Sequence, residues 1–464
     1  MRHDPISCLL GLSKKYGRMS KFKVAGTDVY FLNSPEFVKQ ISVVDHERFV
    51  KNRGHGIKSS SGLYESLGVK GNRIFEELTG NGILMSEDEY HDVHRRIMQP
   101  AFSKDTLASY VPSMTSIVSD WISEKRDGDI VSIRKEMQNL TLKIVLKSLF
   151  SLEGDQARRF TKSLAEFGRS GEASHRGMSF FESREAGSPI GETLLALVDR
   201  VPRGSKRRYS KAAKALESQV YGFMNERRVK PKKDNDLLTI LLASQDVGRL
   251  TDSEVKDEIL TIIGAGHDTL TNALTWSWYL LASHQTEYAK LRTEVDQVLG
   301  RRTPGALDLQ KLVYANMIFN EAMRLYPPVW LERRRSVGDV NLGGHQISKG
   351  SVVLISQYVA HHDPAYFNDP EKFDPERWSA LNRGKIAPFT FFPFGVGPRA
   401  CIGEPFARLE APIILSMITQ NFGLELADGQ VHPGLEPHVT LQPREQIRMR
   451  LRGRGERLKA EVTT

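Results

Sequence analysis

Cysteine is almost absent. Cys8 and Cys401 are the only two in 464 residues, which excludes a disulfide framework and any zinc site made of cysteines alone. A reducing compartment fits that usage. Long apolar runs are missing as well. Near the start only residues 6–12 ("ISCLLGL") are apolar, too few to span a membrane and without a cleavage site. The expectation is a cytoplasmic, soluble chain with no transmembrane anchor, although its abrupt opening leaves an upstream leader open. No internal repeat or low-complexity tract is present. Acidic residues are in deficit, 56 against 65 Lys and Arg, for a net charge of +9. Such a surplus favours an acidic partner: a protein, an anionic membrane or nucleic acid. The basic clusters at 205–211, 226–233 and 448–459 are scattered, lack interleaved aromatics and match no nucleic-acid-binding module, so nucleic acid is the remote alternative.

What is present is mostly helical pattern. Residues 18–32 alternate apolar and polar around a Gly-Thr-Asp turn, which predicts a β-hairpin. Residues 53–80 read as a long loop with short helices, and 86–330 as mainly helix. The polar, glycine-broken stretch 165–210 reads as mobile. One long helix can be bounded. Thr251 is its N-cap, Glu254 the capping-box partner, and Leu250 with Val255 the hydrophobic staple. No proline follows until about Ser283, giving roughly 32 residues and about 48 Å. Ile259, Leu260, Ile262, Ile263, Leu270, Leu274, Trp276, Trp278 and Leu281 point several ways, so this helix belongs inside a large body. A hairpin is expected about Gly343-Gly344, a last helix over about 402–422, and a closing strand pair in "PHVTLQPREQIRMRLR". Helices with small segregated sheets make an α+β fold, mainly α. We expect a single domain over 1–464, β-rich at about 18–60 and helical over about 86–464.

The rarest residue sits in the most unusual stretch, "FFPFGVGPRACIGEPFARLE" (391–410). Gly395, Gly397 and Gly403 free the backbone and let a flat group approach it. Cys401 stands where a helix begins, and the helix dipole favours a thiolate there. One thiolate cannot build a zinc or iron–sulfur site, but it can be the single axial ligand of a haem. Arg399 suits a carboxylate partner. The bland alternative is a small buried hydrophobe. The spacing Phe394-x-x-Gly397-x-Arg399-x-Cys401-x-Gly403 resembles the cytochrome P450 family's F-x-x-G-x-R-x-C-x-G signature.

Three more motifs follow the family's order. Glu321 and Arg324 lie one helical turn apart and can pair; the resemblance makes Arg377, in Pro375-Glu376-Arg377, the third member of a structural triad. In Ala265-Gly266-His267-Asp268-Thr269, the threonine can bond back to the carbonyl four residues earlier and the glycine weakens the helix, leaving a small groove. The resemblance gives Asp268 and Thr269 the delivery of protons to oxygen. His267 reads as an ordinary packed histidine. His91 and Arg95 share a helix face, and by resemblance both reach haem propionates, with His91 where the family often has tryptophan. Arg334 is assigned the same role, in a register that Arg333 and Arg335 make ambiguous. Phe394, Gly403 and the inward-facing Ala265 complete the cofactor contacts. Pro412, about ten residues into the last helix, costs roughly 3 kcal/mol and kinks it.

The resemblance implies haem b (iron protoporphyrin IX) on Cys401 and monooxygenation by dioxygen of a lipophilic small molecule, such as a terpenoid, fatty acid or polyketide-derived compound. Oxidative coupling, desaturation or dehydration on the same haem is the alternative. Electrons must come from outside: a ferredoxin or flavodoxin with its NAD(P)H-dependent reductase, docking on a monomer. The family's pocket would be lined by about 55–85, 160–205, the central helix at Ile263 and Ala265, and Val329, Trp330 and Leu331.

Overall fold

The computed structural model describes residues 4–24, 26–51, 72–182, 203–232, 236–429 and 432–454. Most of the pocket segment expected at 55–85, part of that at 160–205, and the ends of the basic clusters lie outside them.

The chain opens with helix α1 (Pro5–Tyr16), then the hairpin of β1 (Met19–Val24) and β2 (Thr27–Leu32). Gly26 at its turn has φ 80°, a left-handed conformation that glycine adopts freely. Helix α2 (Pro35–Lys39) runs on into a π-helical turn at Gln40–Val44, and β3 (Phe49–Val50) follows. Then come α3 (Asn72–Thr79), α4 (Asp88–Met98), α5 (Lys104–Ser123), β4 (Ile130–Ser132) and α6 (Ile133–Phe150). Helix α7 (Gly154–Glu182) passes through the stretch read as glycine-broken, and α8 (Arg203–Val229) and α9 (Leu237–Asp246) lead to the central helix. Long amphipathic partners packed on one another outweigh the propensity cost of single glycines.

The central helix, α10 (Asp252–Ser283), has 32 residues and starts in the capping box of Thr251 and Glu254. Leu250 and Val255 are both buried beside it. From Glu258 to Leu281 every residue is buried except Ala265, Gly266, Asp268 and Thr269. Its buried hydroxyls are satisfied within the helix: Thr271 donates to the His267 carbonyl (2.7 Å), Thr275 to Thr271 (2.6 Å) and Ser277 to Ala273 (2.8 Å). This is how a helix with polar residues on several sides tolerates a core position.

Helices α11 (Gln285–Val298) and α12 (Val313–Leu325) precede β5 (Glu332–Ser336), β6 (Val340–Leu342), β7 (His345–Ile347) and β8 (Val352–Ile355). The Gly343-Gly344 hairpin forms between β6 and β7. Strand β8 leaves it for a five-stranded sheet of order β1-β2-β8-β5-β3, pairing parallel to β2. Residues 300 positions apart thus make one sheet under α1. Helices α13 (Gln357–His361) and α14 (Glu404–Asn421), then β9 (Phe422–Leu426), β10 (Leu435–Pro437), β11 (Leu441–Pro443) and β12 (Arg448–Gly453), complete the described chain. The closing strands do not pair with each other as expected. Strand β11 pairs with β10, and β12 with β4 and β9. Alternation reveals strands but not partners, because pairing depends on distant segments. Helix α14 runs without a break past Pro412, which is fully buried inside it.

Candidate active site

The cysteine loop uses glycine where nothing larger fits. Gly395 and Gly397 have φ of 70° and 75°, and a Cβ on Gly397 would lie 2.0 Å from the Ser42 carbonyl oxygen. The loop is therefore pressed against the π-helical turn at a spacing other residues forbid. The Cys401 N–H donates to the Phe394 carbonyl at 2.8 Å and closes it. Helix α14 begins only at Glu404, with Gly403 as N-cap, so Cys401 stands just ahead of the helix.

Cys401 is exposed as a residue, yet the protein packed around its sulfur pushes the thiol's pKa up, while the Gly403 N–H and the charges of Lys51 and Arg95 pull it down. The balance is upward, so the helix start does not ionise this thiol as expected. A coordinated metal would ionise it, because a coordinating thiol loses its proton outright.

Around it gather more cations than anions. Arg95 on α4 donates to the Ala400 carbonyl at 2.7 Å. Arg399 donates to the Ser86 carbonyl at 2.6 Å and lies 3.5 Å from Glu87. Arg334, 6% exposed, pairs with Glu332 at 2.8 Å. The alternation of β5 puts Arg334 and Glu332 on one face and Arg333 and Arg335 on the other. Lys51 completes the group: burial, then Arg334 and Arg399, draw its pKa down to about 7. Burial and the nearby Arg399 push His91 down to about 4, so it is neutral near pH 7. Three arginines and Lys51, about half charged near pH 7, thus face the carboxylates of Glu87, Glu332 and Asp92. Uncompensated buried positive charge costs folding energy unless an anion arrives. Beside one thiol and glycines that admit a flat group, this donor set fits a haem with two propionates. The sequence offered no sign of Lys51, Glu87 or Glu332, since such residues are common and only the fold brings them here.

The motif in α10 coincides with the helix's only open stretch among residues 258–281. Thr269 donates to the Ala265 carbonyl at 2.8 Å, as its spacing predicts. His267 is buried and bonded to the Ile263 carbonyl at 2.6 Å, the packed histidine expected. Gly266 opens no groove on its own face. A Cβ there would lie 3.3 Å from Val145, so the glycine admits helix α6 instead. Asp268, about a third exposed, accepts from Thr440 at 2.6 Å and from Arg134 at 3.3 Å.

Elsewhere, Glu321 and Arg324 are fully buried and bidentate, at 2.8 and 2.9 Å. Arg377 reaches Glu321 at 3.2 Å. Trp378, which sequence reasoning missed, adds an indole N–H at 2.9 Å. Arg324 also donates to the carbonyls of His361, Pro370 and Lys372. Phe394 is half-buried under the Arg408 guanidinium, 5.0 Å from its ring. Of the apolar residues expected to line a pocket, Ile263 is buried in the main core and Val329 is half-buried. Trp330 and Leu331 pack into the small core beneath the sheet with Ile6, Leu9 and Phe31. Both are buried there, 2% and 7% exposed.

Comparison with known proteins shows the family and the fold. A family profile described as Cytochrome P450 matches residues 2–450. The chain is 30% identical to cyclooctatin synthase of Streptomyces melanosporofaciens, over 96% of this chain and 92% of that one. It is 29% identical to pentalenene oxygenase of Streptomyces avermitilis, over 98% and 94%. The crystal structure of the cytochrome P450DA heme domain superposes with a TM-score of 0.80 at 24% identity, covering 98% of this chain and 94% of that one.

Proposed function

The chain belongs to the cytochrome P450 family and is a haem-dependent monooxygenase, and from that premise we propose that it oxygenates a terpenoid in specialised metabolism. Support for that class comes from its relatives: the names pentalenene oxygenase and cyclooctat-9-en-7-ol 5-monooxygenase denote oxidation of such compounds. The cofactor is haem b. Among the described residues no helix is long and apolar enough to cross a membrane, and the proposed electron donor is a ferredoxin or flavodoxin meeting a monomer in the cytoplasm.

The observation that carries the proposal is the cluster of three arginines and Lys51 about a single thiol. Cys401 would hold the iron as a thiolate, and Arg95, Arg334 and Arg399 would hold the two propionates, with Lys51 beside them. His91, neutral, spends its one N–H on Asp92 at 3.0 Å and adds no charge there. Thiolate-ligated haem supplies the electron-rich iron that favours O–O cleavage. The chain supplies position, protons and dryness. Thr269 orients toward the open stretch of α10 and passes protons there, and Asp268 replenishes them from the solvent side. Glu321, Arg324 and Arg377 fix the loop's scaffold and touch no reactant.

The test is the reduced, carbon-monoxide-bound absorption spectrum. The red-shifted band of thiolate ligation is expected in the wild type and its complete loss in Cys401→Ser. Well-folded protein that takes up no haem would overturn the proposal. Substrate class is then checked by the spectral shift on titrating sesquiterpene and diterpene hydrocarbons against fatty acids.

A further inference from the structure

Asp268 sits in a closed ring of hydrogen bonds that its assigned role does not explain. Arg134, at the start of α6, donates through Nη2 to Asp268 Oδ1 (3.3 Å) and through Nε to Asn272 Oδ1 (3.1 Å). Asn272, fully buried, donates through Nδ2 to Thr440 Oγ1 at 2.9 Å. Thr440, 5% exposed, donates in turn to Asp268 Oδ2 at 2.6 Å. Arg134 has no acceptor atom, so Asn272 must turn its carbonyl to Arg134 and its amine to Thr440. Thr440 thereby receives one hydrogen bond and must spend its own proton on Asp268. Two of the four bonds, from Arg134 and Thr440, end on that carboxylate, one on each oxygen. Asp268 therefore only accepts within the ring.

An acid that delivers protons must be loaded and unloaded. When a proton from solvent binds Oδ2, that oxygen becomes a donor and needs an acceptor. Arg134 cannot accept, and the Asn272 amide is pinned from both sides. Among the groups bonded to Asp268 only the Thr440 hydroxyl both donates and accepts; it can reverse by rotation of one bond, turning its own proton to water at its exposed edge. Resting on the assignment of Asp268 to proton delivery, we propose that Thr440 is the positioning residue whose reversible hydroxyl lets Asp268 cycle between carboxylate and carboxylic acid. No bond other than the O–H bonds of the travelling proton forms or breaks.

Thr440 is also mechanically tied to the segment after α12. It lies at the tip of the β10–β11 hairpin, where the Trp330 indole donates to the His438 carbonyl (2.9 Å) and the Leu441 N–H to the Pro328 carbonyl (2.9 Å). Trp276 on α10 donates to the Leu441 carbonyl at 3.4 Å. The hairpin tip is thus braced on both sides, and the hydroxyl is delivered to Asp268 by backbone rather than by a mobile side chain.

The experiment compares Thr440→Val, Thr440→Ser and Asp268→Asn holoenzymes supplied with NADPH, ferredoxin and ferredoxin reductase and the best-binding terpene hydrocarbon of the titration above. It measures peroxide released per NADPH and the solvent deuterium isotope effect on turnover. Amide hydrogen exchange over residues 435–443 is followed in parallel. Thr440→Val should raise the peroxide share and the isotope effect about 3- to 10-fold and about 2-fold respectively, as expected when a carboxylate loses one charge-assisted bond. Thr440→Ser should restore both. A merely structural role would move amide exchange in Thr440→Val and leave the peroxide share and isotope effect alone. Wild-type coupling in Thr440→Val beside an uncoupled Asp268→Asn would overturn the role of Thr440 and spare that of Asp268. Full coupling in Asp268→Asn would remove both.

Discussion

Two buried polar clusters in this protein use the same residue types to opposite ends. Around Glu321 and Arg324, each donor meets an acceptor. Arg324 spends its guanidinium on one carboxylate and three carbonyls, and Glu321 receives Arg324, Arg377, Trp378 and the Asp374 N–H. Around Cys401, positive charge is in excess. Arg95 and Arg399 rest on main-chain carbonyls, and Lys51 is drawn down to about 7 by burial and by the arginines beside it. A satisfied network has no use for a ligand and serves the fold. A network rich in one sign of charge is one that a dianionic ligand would suit.

The sharpest way to break that contrast is to cut the satisfied cluster. Arg324→Ala leaves the Glu321 carboxylate buried without its main partner and should cost roughly 3–5 kcal/mol. Urea unfolding midpoints, or the loss of soluble protein, measure it. If Arg324→Ala folds with wild-type stability, this cluster is not structural.

A smaller effect comes from the histidines packed against it. Burial holds His362 down to about 4 and His361 well below its usual value. An unfolded histidine near 6.5 binds protons that the folded one refuses. Stability should therefore fall as pH drops from about 6.5 to about 4, by roughly 3 kcal/mol for His362. Unfolding free energies measured across that window should show the decline, flattened in His362→Asn. An unchanged slope in that variant would place the acid sensitivity elsewhere.

The least effect on folding is expected in the surplus cluster. Arg399→Gln should change stability by no more than about 1 kcal/mol, because relief of repulsion among like charges offsets the loss of one hydrogen bond and of the ion pair with Glu87. Haem transfer to apomyoglobin should nonetheless quicken about tenfold or more, as expected for a lost charge-assisted contact to a propionate. Equal losses of stability and haem retention would erase the distinction between the clusters.

Much of this was legible in advance because it is local. The capping box at Thr251, the hairpin at Gly26, the i,i+4 bond of Thr269 and the i,i+3 pair of Glu321 and Arg324 depend on neighbours a turn away. Their geometry is set by helix and turn periodicity. The cysteine signature was legible for another reason: five fixed positions in ten residues state a backbone shape together with its ligand. Partnerships across the chain were not. Strand β12 joins β4 and β9 rather than β11, Gly266 receives Val145 rather than opening a groove, and Trp330 turns into the sheet's core.

The sequence by itself determined the family and the central helix, and it singled out Cys401, Asp268 and Thr269, because each resides in a short run of residues. Only the tertiary structure decided what surrounds them. It brought Lys51, Arg95, Arg334 and Arg399 to one thiol, and it raised that thiol's pKa where the helix start alone would lower it. It also closed Arg134, Asn272 and Thr440 into a ring on Asp268. Charge balance and solvent exclusion are sums over everything within a few ångströms, and no stretch of sequence contains those neighbours.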